Sequence, residues 1–121
     1  RLPSECSSLE DISDIVHGSI ALHAPLKVLL DTPEFQRLRL LKQTGVCYLV
    51  YPSADHSRFS HSLGVYSLAC EVVERLRRLD GSLGITSADS LCVSVAALCH
   101  DLGHGPFSHL FDGPLMRMFG K

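Results

Sequence analysis

A chain of 121 residues with 45% hydrophobic content holds one domain at most and a moderate core, and nothing in it reads as low complexity or disorder. Its formal net charge of −2 excludes a global basic field of the kind that draws nucleic acid or anionic membrane, leaving only local clusters. Five scattered cysteines without a CxxC pair point to reduced thiols in an intracellular protein rather than a disulfide framework. Charges interrupt every apolar stretch short of a membrane span, and no secretory signal opens the chain.

Residues 1–13 read as a loose opening segment, polar from Ser4 to Ser13. Ile12 to Leu22 has short apolar runs around Gly18-Ser19 and is expected to form a hairpin. Thr32-Pro33 looks like a helix cap with proline at the first helical position, and Phe35, Leu38 and Leu41 then share one face, so a helix is expected over Pro33 to Gln43. Gly45 stops it, and the β-branched and aromatic run Val46 to Tyr51 is readable as extended.

From Ser57 to Leu79 the apolar residues Phe59, Leu63, Tyr66, Cys70, Val73 and Leu76 fall at helical spacing, with arginines near the end and Gly81 beyond. Thr86 and Asp89 make a capping-box pattern that starts another helix over Ser87 to Leu102. Cys70, Cys92 and Cys99 sit in apolar stretches as small buried hydrophobes. Pro106 is expected to begin a short helix through His109 to Phe111, which Gly113-Pro114 breaks. The architecture reads as all-α, a helical bundle with a minor β-hairpin or extended pieces.

Chemistry concentrates in Leu98-Cys99-His100-Asp101-Leu102-Gly103-His104-Gly105-Pro106-Phe107-Ser108-His109 and, earlier, Arg58-Phe59-Ser60-His61. Neutral imidazole and carboxylate suit divalent first-row metals such as iron, manganese or zinc. Antiparallel packing of the two long helices would bring His61 to the His100-Asp101 pair. A lone histidine on an apolar helix is more often simply packed, but an adjacent His-Asp pair with two more histidines within nine residues outweighs that reading. His104 and His109 could supply hydrogen bonds and a proton for a phosphate ester, and Asp112 could orient one of them. Arg58, one turn before His61, could clamp a phosphate or merely cap or pair on the surface.

These residues resemble the HD-domain phosphohydrolases, and within them the sterile-alpha-motif- and HD-domain-containing deoxynucleoside triphosphate (dNTP) triphosphohydrolases of animals. The match runs through Asp14 to Gly18, Asp31 to Arg39, Arg58 to Val65 and, with most specificity, Leu98 to Asp112. The resemblance implies an HD-domain helical bundle of which 1–121 is the amino-terminal part. It further implies a dNTPase that hydrolyses dNTPs, dGTP included, to deoxynucleoside and triphosphate. By position, His61, His100 and Asp101 would be metal ligands, with magnesium a further candidate ion. Arg58 and His109 would lie near the phosphates, His104, His109 and Asp112 would assist catalysis, and Gln43 would touch the deoxyribose. Asp31, Gln36 and Arg39 match positions that read a regulatory guanine nucleotide; without the resemblance they read equally well as a solvated helix start. GTP and dNTPs as activators, a homotetramer, and a nuclear and secondarily cytoplasmic location follow from the same likeness.

Departures from that pattern are Glu10 in place of a phosphate-binding lysine, Ser13 for asparagine, Ile15 for proline, Ser60 for glutamate and Thr44 for leucine. An acid at position 10 would repel triphosphate. The family completes its ligand set with a further aspartate downstream of the region matched here, so the chain is expected to be part of a catalytic domain. Two alternatives stand beside the dNTPase. One is an HD-type nucleotidase or phosphodiesterase. The other is an inactive form that binds subunits or single-stranded nucleic acid through Arg37, Arg39, Lys42, Arg75, Arg77 and Arg78. No membrane partner is expected.

Overall fold

The structure, a computed structural model, describes residues 9–120. It opens on an antiparallel hairpin of β1 (Leu9–Asp14) and β2 (Gly18–His23), in a register that sets Ile12 opposite Ile20 and Glu10 opposite Leu22. Asp14 Oδ1 shapes the turn by accepting the Val16 and His17 N–H groups, both at 2.8 Å, and Gly18 supplies the positive φ of 72°. Period-two alternation places Ile20 and Leu22 in the core. The hairpin expected from the sequence is present. It begins earlier than expected, because pairing with β2 draws 9–13 into a strand; residues 1–8 of the opening segment lie outside the described residues.

Helix α1 (Ala24–Leu30) follows directly and buries Leu26 and Leu30; its seven residues are too few to show a period in the sequence. In α2 (Pro33–Gln36) the Thr32 hydroxyl caps the Phe35 N–H, as expected, but the α-helix ends at Gln36 and tightens into a 3-10 turn over Arg37–Leu40. The expected continuation to Gln43 fails because 41–43 pairs with the segment before the next helix. Arg58 N–H donates to Leu41 O at 2.8 Å, Gln43 N–H to His56 O at 3.1 Å, and Lys42 bridges Ser57.

The stretch Val46 to Tyr51 is not extended either. Successive i to i+3 hydrogen bonds wind it into turns with a 3-10 helix at Cys47–Leu49, and among the described residues no strand lies beside it to complete a ladder.

Helix α3 (Arg58–Leu79) is capped by Ser57, and α4 (Ser87–Cys99) carries the full Thr86–Asp89 capping box. The core gathers Ile20, Leu22, Leu26, Leu30, Phe35, Leu38, Phe59, Leu63, Tyr66 and Leu98. Burying such side chains contributes on the order of 1.5–3 kcal/mol each. Tyr66 OH donates to Ala21 O at 3.0 Å, tying α3 to the hairpin, and the Phe35 and Phe59 rings meet edge to face at 5.5 Å. Burial on α3 is confined to its first half, while Leu68, Val72, Leu76 and Leu79 are exposed. Cys70 and Cys99 are half-buried and Cys92 is exposed, so only two of the three thiols expected inside approach that position.

Helix α4 stops at Cys99 rather than Leu102. Pro106 does not start a helix: Phe107 and Ser108 adopt φ of 64° and 54°, turning the chain back on itself. The chain then winds into a wide π-helical turn over Phe111–Leu115 and the short α5 (Met116–Met118), running through Gly113-Pro114 instead of breaking there. A widened turn tolerates a proline, which lacks an N–H and crowds the carbonyl four residues back.

Candidate metal centre

Helix α3 presents Arg58 and His61 from its first turn, and the end of α4 delivers His100 and Asp101, so two helix ends meet. One donor atom from each of His61, His100 and Asp101 lies within 4.8 Å of the others. Nε2 of His61 and His100 are 3.2 Å apart, His61 Nε2 is 3.7 Å from Asp101 Oδ2, and His100 Nε2 is 3.5 Å from Asp101 Oδ1.

The donor set fits a divalent ion. His100 Nδ1–H donates to Ala97 O at 2.8 Å, which fixes the tautomer and leaves the Nε2 lone pair directed at His61. Burial pushes the His61 imidazole below its ordinary pKa, opposed by the Asp101 carboxylate, so the neutral, ligating form is favoured. Nitrogens bound side by side at about 2.1 Å from one ion sit roughly 3 Å apart, close to the separation of the two imidazoles. Facing lone pairs at that distance need a proton or a cation between them.

Asp101 is 5% exposed and does not stand alone. Arg58 Nη1 donates to its Oδ2 at 2.6 Å, and Arg58, 2% exposed, also donates from Nε to Ser108 Oγ at 3.2 Å. The structure therefore places Arg58 beneath Asp101, with Nη2 buried and without a hydrogen-bond partner.

His104 extends the array. Its Nε2 faces Asp101 Oδ1 at 3.3 Å, its Nδ1 is hydrogen-bonded to Asp112 Oδ2, and its ring meets that of His109 edge to face at 5.1 Å. The His104 hydrogen bond holds the Asp112 carboxyl below its usual range, so Asp112 stays an acceptor. His104, His109 and Asp112 thus form a second close group beside the first.

Gln43 Oε1 accepts from His56, which with His17, Ser60, His61 and Gly64 lines a cavity of about 300 Å³. Of the three residues matched to a regulatory nucleotide, Gln36 donates from Nε2 to Leu30 O, next to Asp31, at 2.8 Å. Asp31 accepts from Lys27 Nζ at 2.7 Å, while Arg39 Nε donates to Gln36 Oε1 at 2.8 Å and its guanidinium lies 3.5 Å over the Phe59 ring. Lys27 also reaches Glu10 at 3.3 Å, so a cation stands beside the acid at position 10. Of the basic residues considered for nucleic acid, Arg37, Arg39, Lys42 and Arg78 are engaged internally, Arg78 with Glu74 at 3.1 Å. Arg37 donates to Leu102 O and His104 O at 3.0 and 2.7 Å, and Lys42 pairs with Asp55 at 2.6 Å.

Lys27, His56 and Ser108 escaped the sequence reading. For His56 and Ser108 no local signal exists, because each acts through residues distant in the chain, whereas the i,i+4 spacing of Lys27 and Asp31 could have marked that pair.

The HD domain profile matches residues 58–118, just over half of the 121-residue chain. The chain belongs to the HD domain family. The matched span includes His61, His100, Asp101, His104, His109 and Asp112, and in this HD domain they are the residues that converge. Deoxynucleoside triphosphate triphosphohydrolase SAMHD1 of Gallus gallus is 56% identical over 120 residues, covering 97% of this chain and 20% of the relative. SAMHD1 of Homo sapiens is 53% identical over 113 residues, covering 91% and 18%. A putative HD domain-containing protein of Acanthamoeba polyphaga mimivirus is 42% identical over 113 residues, covering 84% and 25%. Within the family the chain is SAMHD1-like, and it spans about a fifth of the length of the SAMHD1 relatives. Among the described residues no helix is long and apolar enough to cross a membrane.

Proposed function

We propose that this HD domain serves a metal-dependent dNTP triphosphohydrolase that cleaves the bond between the sugar oxygen and the α-phosphorus. The observation that carries this reading is the convergence of His61, His100 and Asp101 within 4.8 Å in a chain 53–56% identical to named dNTP triphosphohydrolases. Water adds its oxygen to the α-phosphorus, the P–O5′ bond breaks, and one proton passes to O5′, giving deoxynucleoside and triphosphate.

His61, His100 and Asp101 would hold the ion, which when bound supplies positive charge and Lewis acidity. Iron, manganese, zinc and magnesium are the candidate ions. His104 donates from Nδ1 to the Asp112 carboxylate, which orients the imidazole for proton transfer at the edge of the ligand set. His109, against the His104 ring, is the donor assigned to O5′ and lies near the phosphates in this reading. Arg58 pairs with Asp101, and its unpartnered Nη2 takes a phosphate oxygen once the side chains covering it shift. Gln43 meets the deoxyribose from the cavity margin.

Asp31, Gln36 and Arg39 are assigned to a guanine nucleotide that, with dNTP, drives a homotetramer in the nucleus and in part the cytoplasm. In that role Lys27 must release Asp31 or share it with the nucleotide.

Incubating the full-length protein with dGTP tests the reaction. Deoxyguanosine and triphosphate are expected, and dGMP or dGDP as product would remove the assignment in favour of a nucleotidase or phosphodiesterase.

A further inference from the structure

The geometry points to Ser108 as a positioning residue: its hydroxyl locks Arg58 against Asp101 and so sets the aim of the carboxylate ligand. This rests on the metal reading of His61, His100 and Asp101 and adds to it a residue that neither binds the ion nor touches substrate.

Ser108 is 3% exposed, and its hydroxyl both donates and accepts a hydrogen bond. Oγ accepts from Arg58 Nε at 3.2 Å and donates to Lys42 O at 2.7 Å, which orients the lone pair toward the guanidinium. Among the described residues, Ser108 alone holds the Arg58 side chain from behind by a hydrogen bond. Nη1 is on Asp101 Oδ2 at 2.6 Å and Nη2 has no partner, so without Ser108 a long side chain would pivot about a single contact. The oxygen it holds, Oδ2, is the one that faces His61 at 3.7 Å, and Oδ1 of the same carboxylate faces His100 at 3.5 Å. Rotation of that carboxylate displaces both donors at once.

Ser108 also joins the two halves of the centre. Lys42, whose carbonyl it engages, bridges Ser57 at the cap of α3, whereas Ser108 itself belongs to the loop after α4. To make this contact the chain holds Phe107 and Ser108 at φ of 64° and 54°, a region costly for residues with a Cβ. Were the turn alone at stake, glycine would serve better at position 108; the hydroxyl is what glycine lacks.

That contrast supplies the test. In the full-length protein, Ser108→Gly removes the hydroxyl and relieves the backbone, while Ser108→Ala removes the hydroxyl and keeps the strain. Titration with Mn2+ alone, read from the electron-spin resonance of the free ion, is expected to show affinity about tenfold weaker in both variants. Thermal unfolding of the glycine variant checks that the protein remains folded. In an Arg58→Gln background, Ser108→Gly is expected to cause little further loss, because the hydroxyl acts through the guanidinium. Wild-type Mn2+ affinity in the folded glycine variant overturns the inference, as does full additivity of the two substitutions. The readout is metal affinity rather than turnover, so failure of the dNTPase reading, seen as no triphosphate from dGTP, is a separate result.

Discussion

Where α3 meets the end of α4, polar side chains converge with acceptor atoms facing one another; where α1 and α2 meet the hairpin, polar side chains neutralise each other. At the first place the His61 and His100 Nε2 atoms stand 3.2 Å apart beside the oxygens of Asp101, a donor set that could hold a cation. At the second, Lys27 bridges Glu10 and Asp31, and Arg39 is held by Gln36 and the Phe59 ring. Both regions are rich in charge and both match family motifs. The first gathers imidazole nitrogens and carboxylate oxygens within 4.8 Å of one another, whereas the second is built from opposite charges already paired with each other.

The sharpest way to break this comparison is to remove Asp101. Asp101→Ala leaves the Arg58 guanidinium buried without its counter-charge, so we expect a loss of about 3–5 kcal/mol in denaturant unfolding together with the metal. His100→Ala, at a half-open position, should abolish metal binding with far less effect on unfolding of the metal-free protein. Equal destabilisation by the two would mean that the Arg58–Asp101 pair is not the buried support described here. The next effect concerns proton handling. Asp112→Asn should lower dGTP turnover by roughly 10- to 100-fold while leaving Mn2+ affinity near wild type, since Asp112 touches His104 and not the ligand set.

The hairpin side should respond weakly. Lys27→Ala removes two exposed ion pairs and is expected to change stability by no more than about 1 kcal/mol, with metal affinity untouched. Smaller still is the contribution of Asp14, whose carboxyl is held below its usual range by the His17 and Val16 N–H groups. A depressed native pKa means the unfolded chain binds the proton more readily, so this stabilisation is present above about pH 4 and lost as pH falls through the native value. Comparing acid unfolding of wild type and Asp14→Ala should show curves that differ near neutrality and merge at low pH. Curves that stay parallel would contradict the hydrogen-bonded turn.

Much of this division was legible in the sequence. Ser57, Thr86 and Asp89 announce the starts of α3 and α4 because caps act on backbone groups within a few residues. The spacing of Phe59, Leu63 and Tyr66 identifies the buried face for the same local reason. His61, His100 and Asp101 could be grouped once the helices were expected to pack antiparallel. What escaped was decided by tertiary pairing. The pairing of 41–43 with 56–58 cuts α2 short, and the absence of a neighbouring strand among the described residues turns Val46–Tyr51 into 3-10 structure. Arg58 reads as a phosphate clamp or a surface cation, and its buried seat between Asp101 and Ser108 emerges only in the fold.

Anomalous diffraction from crystals of the metal-loaded full-length protein, collected across the iron, manganese and zinc edges, tests the central claim most directly. One peak enclosed by His61 Nε2, His100 Nε2 and an Asp101 oxygen, each at about 2.0–2.3 Å, is the expected result. An ion bound elsewhere, with His61 turned away from His100 and Asp101, would contradict the account.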